Sequence, residues 1–251
     1  MKKEKQKDTF WENVKAFTYA IILAVLIRTL WLQPFHIPSG SMIPSLLIGD
    51  NLFVSKTAYG YSRYSIPFGA YINYFNGRIW KGEPKLGEVA IFRSVVEPDT
   101  DFIKRVVGVP GDRIQMKEGL LYINDVVCPI EPHGEFETVD DSGQLLKAAQ
   151  YIETLPNGQK HLIIKQVPFG EGAYDNTPVY HVPPGHYFMM GDNRDGSNDS
   201  RTQGVIGYIP LEYFVGRASF IFFSTGGKIA LWEIWRWPLT AHYNRIFNVI
   251  H

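Results

Sequence analysis

The chain has 251 residues, with 25 basic and 25 acidic side chains, and its formal net charge at pH 7 is +0. This balance gives no electrostatic support for a nucleic-acid partner, which a strongly basic surface would attract. Hydrophobic residues make up 45% of the chain and aromatic residues 14%, so the composition allows a substantial core and excludes a disordered protein.

The first predicted element is an apolar helix over residues 16–32. Its sequence, AFTYAIILAVLIRTLWL, would extend over about 25 Å as a helix, near the lower limit for crossing a membrane. Arg28 can extend to the lipid interface, and Trp31 suits the aromatic belt of a membrane protein. Residues 1–15 are rich in lysine and are therefore predicted to stay cytoplasmic, with the rest of the chain on the outer side.

Two other interpretations of this segment stay open. A cleaved signal peptide would need small residues after its apolar part, but the bulky run Leu30-Trp31-Leu32-Gln33 follows here. A buried core helix is opposed by the flanking lysines and by Trp31 at the edge of the segment. The sequence therefore favours an uncleaved, single-pass membrane anchor.

Beyond the anchor, the sequence has the pattern of an all-β domain. The short runs EVAIFRSV and FIKRVVGV end at turn signals, and RIQMKEGLLYIND and YIETLPNGQKHLIIKQV have the pattern of hairpins. The hairpin turns are predicted at residues 117–119 and at Asn157-Gly158. Short strands at this spacing indicate a sandwich or barrel, with helix expected only at the anchor and in a short piece near residues 211–214.

Polarity rises between residues 118 and 179, where Gly, Asp, Glu and Asn are frequent. We interpret residues 118–179 as a smaller β subdomain, inserted into a main β-domain formed by residues 33–117 and 180–251. Near the C terminus three tryptophans fit either a membrane interface or packing against a final strand, namely Trp232, Trp235 and Trp237.

Lys104 is unusual because it lies in an otherwise apolar predicted strand. Alternation places it on the same face as Phe102 and Val106. Burial on an apolar face would lower the pKa of the lysine, and its neutral amine could then take a proton from a serine hydroxyl. Spacing alone leaves the alternative open that Lys104 is ordinary surface charge beside Arg105.

Ser41 is equally ambiguous on its own. It lies in the run Ile37-Pro-Ser-Gly-Ser-Met-Ile-Pro-Ser45, whose prolines indicate a rigid loop that presents a hydroxyl, but a serine beside glycine is usually a turn residue. The chain has no Gly-x-Ser-x-Gly elbow. No histidine has the sequence context of a triad base, although His36 stays possible because it is close in sequence.

Residues 191–201, GDNRDGSNDSR, form the most polar segment, and their charges could make a rigid salt-bridged loop. An EF-hand calcium loop is excluded, because the twelfth position from Asp192 is Gln203 rather than a bidentate acid.

The seven histidines show no metal-ligand spacing, so no metal and no other cofactor is predicted. The single cysteine, Cys128, excludes an internal disulfide and is interpreted as a small core residue.

Taken together, these segments resemble the type I signal peptidase family of bacteria. The matches occur in the family's order behind an anchor, cover about a seventh of the residues and are very specific as a set. The departures are mild: Ser45, Glu88 and Phe102 replace the threonine, aspartate and tyrosine that are common in the family. The matching residues are Ser-Gly-Ser-Met-x-Pro-Ser-Leu at 39–46, Gly-Glu-Val-Ala-Ile-Phe at 87–92, Lys-Arg-Val-Val-Gly-Val-Pro-Gly-Asp at 104–112 and Gly-Asp-Asn-Arg-Asp-x-Ser-x-Asp-Ser-Arg at 191–201.

The resemblance implies an all-β catalytic domain with a Ser/Lys dyad. Ser41 would be the nucleophile, and Lys104 the general base that later protonates the leaving amine. Ser197 would hydrogen-bond the Lys104 amine and orient it. The Ser41 backbone N–H and the Ser39 hydroxyl would form the oxyanion hole. Two residues would only support the loop that carries Ser197: Asp199 and Arg201.

The resemblance also implies the substrate, which would be a secretory preprotein cut after a small-x-small sequence such as Ala-x-Ala. The protein would sit in the bacterial inner membrane, in contact with lipid, with its catalytic domain on the periplasmic side. Shallow apolar pockets would exclude large side chains. The candidate pocket walls beside the nucleophile and the base are Phe35, Ile37, Met42, Leu46 and Ile103.

Two other functions stay open. A related Ser/Lys peptidase could mature one secreted or conjugation protein or cleave a repressor, although the anchor disfavours a repressor. A non-enzymatic anchored adaptor could have inherited the fold, although the presence of Ser41, Lys104 and Ser197 disfavours it.

Overall fold

The computed structural model describes residues 2–66, 75, 77–97, 99–140, 142–226 and 233–251. Within these ranges the protein is mainly β with a long N-terminal helix, which confirms the predicted fold class. The helices are α1 (Lys2–Leu30) and α2 (Trp237–Thr240), and 3-10 helices lie at Gly40–Met42, Arg63–Ser65, Leu211–Tyr213, Ile234–Arg236 and Tyr243–Arg245.

The strands are short and follow one another along the whole chain after α1. They are β1 (Leu32–His36), β2 (Asp50–Ser55), β3 (Tyr61–Ser62), β4 (Arg78–Ile79), β5 (Val89–Arg93), β6 (Asp101–Gly108), β7 (Arg113–Lys117), β8 (Leu120–Ile123), β9 (Val126–Val127), β10 (Ile130–Val139), β11 (Leu145–Thr154), β12 (Lys160–Lys165), β13 (Tyr180–His181), β14 (His186–Met190), β15 (Ile209–Pro210) and β16 (Phe214–Ser224).

Helix α1 contains the predicted anchor. Its apolar stretch Thr9–Leu30 has 22 residues and is long and apolar enough to cross a membrane. None of the apolar window is buried inside the protein, whereas a core helix would be covered by other elements. The helix ends at Leu30 rather than at residue 32, because Leu32 already pairs with Ser55 as the first residue of β1.

The end of α1 is tied directly to the β-domain. The Tyr61 hydroxyl donates a hydrogen bond to the Leu30 carbonyl, and the Lys56 N–H donates to the Trp31 carbonyl at 3.0 Å. The last carbonyls of a helix have no partner within the helix, so these bonds satisfy groups that would otherwise need water. Helix and domain are therefore joined without a linker.

The largest sheet brings together segments that are far apart in sequence. It has seven antiparallel strands in the order β1-β2-β16-β5-β6-β14-β15. In its centre Lys104 of β6 lies opposite Ala90 of β5, and Arg105 lies opposite Met190 of β14. The sheet therefore positions all three predicted motifs, since β1 leads into the Ser41 loop and β14 leads into residues 191–201.

Strand β5 contributes to the core on both faces of this sheet. Val89 and Ile91 pack in one hydrophobic cluster, whereas Ala90 and Phe92 pack in another, as the two-residue period of a strand requires. Full burial of a large apolar side chain stabilises a fold by about 1.5–3 kcal/mol. A polar side chain in the middle of this sheet, such as Lys104, is therefore removed from water.

The polar segment folds into two small antiparallel sheets, β10-β11-β12 and β13-β7-β8-β9. The two predicted hairpins are confirmed, because Lys117 pairs with Leu120 and Thr154 pairs with Lys160. Residue 118 lies in the β7–β8 turn, so the four-stranded sheet contains strands from both sides of the predicted boundary. The subdomain limits of 118–179 stay a prediction.

Smaller features of the sequence have different outcomes. Cys128 is buried in a hydrophobic cluster, as predicted, and burial raises the pKa of its thiol to about 12. The Trp237 ring packs 4.3 Å from the Phe223 ring of β16, whereas Trp235 is 70% exposed. Trp232 lies outside the described residues.

Candidate active site

Ser41 lies in the 3-10 helix Gly40–Met42, which begins soon after β1 ends. The Leu46 N–H donates to the Met42 carbonyl at 2.9 Å, and the side chains of both residues are fully buried in the core. The loop is thus held by its own turn and by apolar packing, as its two prolines predict. The Ser41 side chain itself is almost buried.

Lys104 makes direct contact with the predicted nucleophile. Its Nζ atom lies 2.6 Å from Ser41 Oγ and 2.9 Å from the Ile103 carbonyl oxygen. Lys104 is only 2% exposed, so it is not ordinary surface charge. Burial favours the neutral amine over the ammonium ion, and the short distance permits direct proton transfer from the serine. The sheet has brought together a serine and a lysine separated by 63 positions in sequence.

An apolar cavity of about 380 Å³ opens beside this pair. Of the predicted pocket walls, Phe35, Ile37 and Ile103 line it, together with Ser39 and Lys104. The other two predicted walls do not line this cavity: Met42 and Leu46 are fully buried in the core beneath the loop.

Sequence reasoning did not assign six residues to this lining: His36, Pro38, Ile91, Thr100, Asp101 and Phe102. Phe102 could have been inferred, since it adjoins Ile103 in the strand of the base. Ile91 required the register of the sheet, in which it pairs with Ile103 across β5 and β6.

Ser39 immediately precedes the 3-10 helix in an extended conformation. Its hydroxyl makes no capping bond to that helix, and its side chain reaches the rim of the cavity that Lys104 also lines. The predicted role of Ser39 in an oxyanion hole stays a prediction, compatible with this position.

Ser197 is buried against Gly191, which lies between it and the nucleophile. A Cβ atom added to Gly191 would lie 2.1 Å from Ser197 Oγ and 2.5 Å from the Ser41 carbonyl oxygen. The Ser197 side chain interacts with the Asp199 carboxylate and helps to lower its pKa. Its predicted bond to the Lys104 amine therefore stays a prediction, although the loop places Ser197 next to Ser41.

Asp199 and Arg201, which the resemblance implies as supports of the Ser197 loop, form an ion pair. Arg201 donates from Nε to Asp199 Oδ1 at 2.8 Å and from Nη2 to Oδ2 at 2.7 Å. Burial raises the pKa of Asp199, but the Arg201 guanidinium and the hydrogen bonds from Gly191 and Ser197 together outweigh it and lower the pKa overall. Asp199 also accepts the Gly191 N–H at 3.0 Å, so this pair holds the glycine that separates the two serines.

The other charges of residues 191–201 pair outside that segment. Asp192 accepts two hydrogen bonds from Arg105, the neighbour of the base, at 2.9 and 2.8 Å. Arg194 and Asp195 pair with residues of the polar segment. The charges of the predicted salt-bridged loop do form ion pairs, but only Asp199 and Arg201 pair with each other within the segment. Among the residues that the structure describes, no group of three or more His, Cys, Asp or Glu side chains could hold a metal ion.

The buried charges make the folded state sensitive to acid. Burial raises the pKa of Glu153, Asp192 and Asp199, but neighbouring guanidinium groups outweigh it and lower each pKa below its usual range. Burial and the nearby Arg105 also lower the pKa of His161. The unfolded chain therefore binds protons at a higher pH than the folded chain, from about pH 6.5 for the histidine and about pH 4 for the carboxylates.

We expect the free energy of unfolding to fall as the pH is lowered from about 7 to about 3, a range that includes the unfolded pKa values of the histidine and of the carboxylates. Urea denaturation of the full chain in detergent would measure it. Glu153→Gln should weaken this dependence, whereas Glu131→Gln, at an exposed ion pair with Lys160, should retain it. Equal stability at both pH values would contradict the expectation.

Residues 10–223 match the family described as signal peptidase, peptidase S26. A signal peptidase I of Rickettsia typhi is 40% identical over 233 residues, which are 91% of this chain and 85% of that protein. A signal peptidase I of Rickettsia canadensis is 38% identical, covering 99% of this chain and 97% of that protein. A solved signal peptidase I of Enterococcus faecalis V583 has 22% identity and a TM-score of 0.31, covering 54% of this chain and 96% of the other.

The family match and the relatives define the class of protein as serine endopeptidase. Within that class, the chain belongs to the signal peptidase family, peptidase S26. The resemblance drawn from the four sequence motifs is thereby confirmed.

Proposed function

We propose that this protein removes signal peptides from secretory preproteins, cutting after small-x-small sequences with a Ser41–Lys104 dyad. The observation that carries the proposal is the 2.6 Å contact between Ser41 Oγ and Nζ of Lys104, which also lines an apolar cavity. The names of the Rickettsia relatives, signal peptidase I, support the substrate class.

In the proposed reaction, Ser41 Oγ attacks the scissile carbonyl carbon and its proton passes to the neutral Lys104 amine. The resulting ammonium protonates the leaving amine as the C–N bond breaks, which releases the mature protein and leaves an acyl ester on Ser41. Lys104, neutral again, takes a proton from water, and the hydroxide hydrolyses the ester. As the ester C–O bond breaks, the Lys104 ammonium returns its proton to Ser41 Oγ, so both catalytic groups regain their starting states. The signal peptide leaves as a carboxylate, and its carboxylic proton passes to the solvent.

The negative charge on the carbonyl oxygen would be stabilised by the Ser41 N–H and the Ser39 hydroxyl. Fixed donors aimed at a developing oxyanion often contribute a large part of the rate enhancement in acyl transfer. Support comes from the position of Ser39 at the same cavity rim as Lys104. Ser197, buried beside Ser41, would orient the amine of Lys104.

The cavity also accounts for a small-x-small preference. Alternate residues of an extended peptide point to the same side, so the first and third residues before the cut would face the same apolar wall. Phe35, Ile37 and Ile103 would leave room there only for small side chains. Met42 and Leu46, packed beneath the loop, would fix its position rather than contact the substrate.

The proposed location follows from α1. Its apolar stretch would cross the bacterial inner membrane once, with the lysine-rich residues before Thr9 in the cytoplasm and the β-domain on the periplasmic side. Contact with lipid along the exposed face of α1 would hold the active site near the membrane surface, where signal peptides are anchored.

The test is incubation of the purified full chain, in detergent, with a preprotein that has an Ala-x-Ala site. We expect mass spectrometry to find a mature protein that begins immediately after the second alanine. The same preprotein with phenylalanine in place of that alanine should stay intact. Cleavage of one preprotein but not of unrelated ones would indicate a peptidase dedicated to a specific protein, and no cleavage of any would favour the adaptor.

A further inference from the structure

The three-stranded sheet β10-β11-β12, which we call the inserted sheet, packs against the loop of the nucleophile. Ile43, two residues after Ser41, is 1% exposed and forms a hydrophobic cluster with Ala148 of β11 and Ile164 of β12. Leu47 joins the same cluster from the other end of the loop. The inserted sheet therefore packs directly against the loop that carries Ser41.

The same sheet also pairs with the segment that carries Ser197. The Ile164 N–H donates to the Asp192 carbonyl at 3.0 Å, and the Arg194 N–H donates to the Ile164 carbonyl at 3.1 Å. Asn193 forms a parallel bridge with Ile164. Residues 192–194 therefore extend the inserted sheet along the free edge of β12.

A buried ion pair fixes this contact. Glu153 of β11 accepts two hydrogen bonds from Arg194, with Nη1–Oε1 at 2.7 Å and Nη2–Oε2 at 2.5 Å, and both side chains are buried. A two-point guanidinium–carboxylate contact sets orientation as well as distance. Such a pair contributes little net stability compared with apolar packing, but the loss of one partner leaves an unpaired buried charge.

A second charged contact holds the next residue of the turn. Asp195 Oδ1 accepts a hydrogen bond from Lys165 Nζ at 2.5 Å, at the end of β12. Its other oxygen accepts the backbone N–H groups of Gln166 at 2.7 Å and Val167 at 3.1 Å. Both charges at positions 194 and 195 are thus bound by the inserted sheet and the residues that follow it.

The segment held in this way connects to both serines. The Asn193 N–H donates to the Ser41 carbonyl at 3.2 Å, and its amide donates to the Gly40 carbonyl at 3.2 Å. Asn193 Oδ1 accepts the Gly196 N–H at 3.0 Å, which closes the turn directly before Ser197. A displacement of Arg194 would therefore move the turn that carries Ser197.

We propose that the inserted sheet positions the catalytic centre, with Glu153 as its key positioning residue. Through Arg194, Glu153 fixes the turn that presents Ser197 to the Ser41–Lys104 pair. This inference rests on the role of Ser197 in the proposed function. It gives a role to the acidic side chain in the interior of β11, where burial of an apolar residue would cost less free energy.

The first measurement is the steady-state kinetics of Glu153→Gln, with Glu131→Gln as the matched control. Both variants change a glutamate to glutamine on the same sheet, but Glu131 forms only an exposed ion pair with Lys160. We expect Glu153→Gln to lower kcat by about 10- to 100-fold with KM changed less than about twofold, since a misplacement near 1 Å can have this effect. Wild-type kcat in Glu153→Gln would overturn the proposal.

A double-mutant cycle with Ser197→Ala separates positioning from a general loss of folded enzyme. If Glu153 acts through Ser197, Glu153→Gln should cause little further loss of kcat in the Ser197→Ala background. An equal loss of kcat in both backgrounds would overturn the proposal, because a general structural defect would lower kcat whether or not Ser197 is present. If Glu153→Gln does not fold, Arg194→Lys, which keeps the charge but loses the two-point contact, enters the same cycle with the same expected outcome.

The failure of this inference differs from a failure of the proposed function. Full kcat in Ser197→Ala would remove the role of Ser197 and this inference together. The dyad would be unaffected by that result, since it depends on Ser41 and Lys104 variants alone.

Discussion

Replacement of Ser41 by alanine is expected to abolish preprotein cleavage, and replacement of Lys104 by alanine is expected to do the same. The first removes the nucleophilic oxygen, and the second removes the base 2.6 Å from it. In serine peptidases the loss of either group lowers kcat by a factor on the order of 10⁴ or more, because the members of such a unit act together. The release of mature protein under single-turnover conditions would measure both effects.

The matched controls lie on the surface. Lys81→Ala and Ser219→Ala remove the same side chains at more exposed positions and should leave kcat/KM at the wild-type value. The double variant Ser41→Ala/Lys104→Ala should be no less active than either single variant. Turnover by either single variant above one hundredth of the wild-type rate would contradict the dyad.

Replacement of Gly191 by alanine is expected to cause the second-largest loss. The added Cβ would collide with Ser197 Oγ at 2.1 Å, Ser197 Cβ at 2.4 Å and the Ser41 carbonyl oxygen at 2.5 Å. The two serines must therefore move apart, and a displacement of about 1 Å near the reacting groups can lower kcat about 100-fold. The strain comes from lack of space, since Gly191 is not among the glycines with positive φ.

Gly204→Ala is the matched control for this prediction. An added Cβ at Gly204 would meet nothing within 4 Å, so this variant should keep both kcat and stability. Circular dichroism would verify that Gly191→Ala remains folded. Wild-type kcat in folded Gly191→Ala would show that the close contact between Ser41, Gly191 and Ser197 does not matter for catalysis.

The elements predicted best from sequence are those encoded by local patterns. The apolar run predicts helix α1, and the turn signals at residues 117–119 and Asn157-Gly158 predict two hairpins that the structure contains. Each of these depends on neighbours within a few residues, where periodicity and turn chemistry are informative. The end of α1 was less certain, because pairing with β2 determines it.

The partners of charged residues could not be predicted in the same way. Arg194 pairs with Glu153, which is 41 positions away, and Asp192 pairs with Arg105, which is 87 positions away. Such partners depend on which strands become neighbours, and a loop rich in both charges gives no indication of whether it pairs within itself. The pairing of Asp199 with Arg201, two positions apart, was implied by the family resemblance rather than by the charge pattern.

The residues that line the cavity could also be predicted only in part from the sequence. Closeness in sequence to Ser41 and Lys104 correctly indicated Phe35, Ile37 and Ile103 as lining residues. It gave no information about side-chain direction within the 3-10 helix and the turn that follows it. Met42 and Leu46 point into the core there, which stabilises the loop but leaves them away from the cavity.

The hydrogen-bonded joint between α1 and the β-domain limits how far Ser41 can lie from the end of the helix. Helix α1 ends at Leu30, β1 begins at Leu32, and hydrogen bonds from Tyr61 and Lys56 fix the joint. From Leu30 to Ser41 the chain can extend at most about 40 Å, at up to about 3.6 Å per residue. In the proposed function, only peptide bonds within that height above the membrane can reach Ser41. The distance of a peptide bond from the membrane would thus limit the possible cleavage sites before the apolar cavity contacts any substrate side chain.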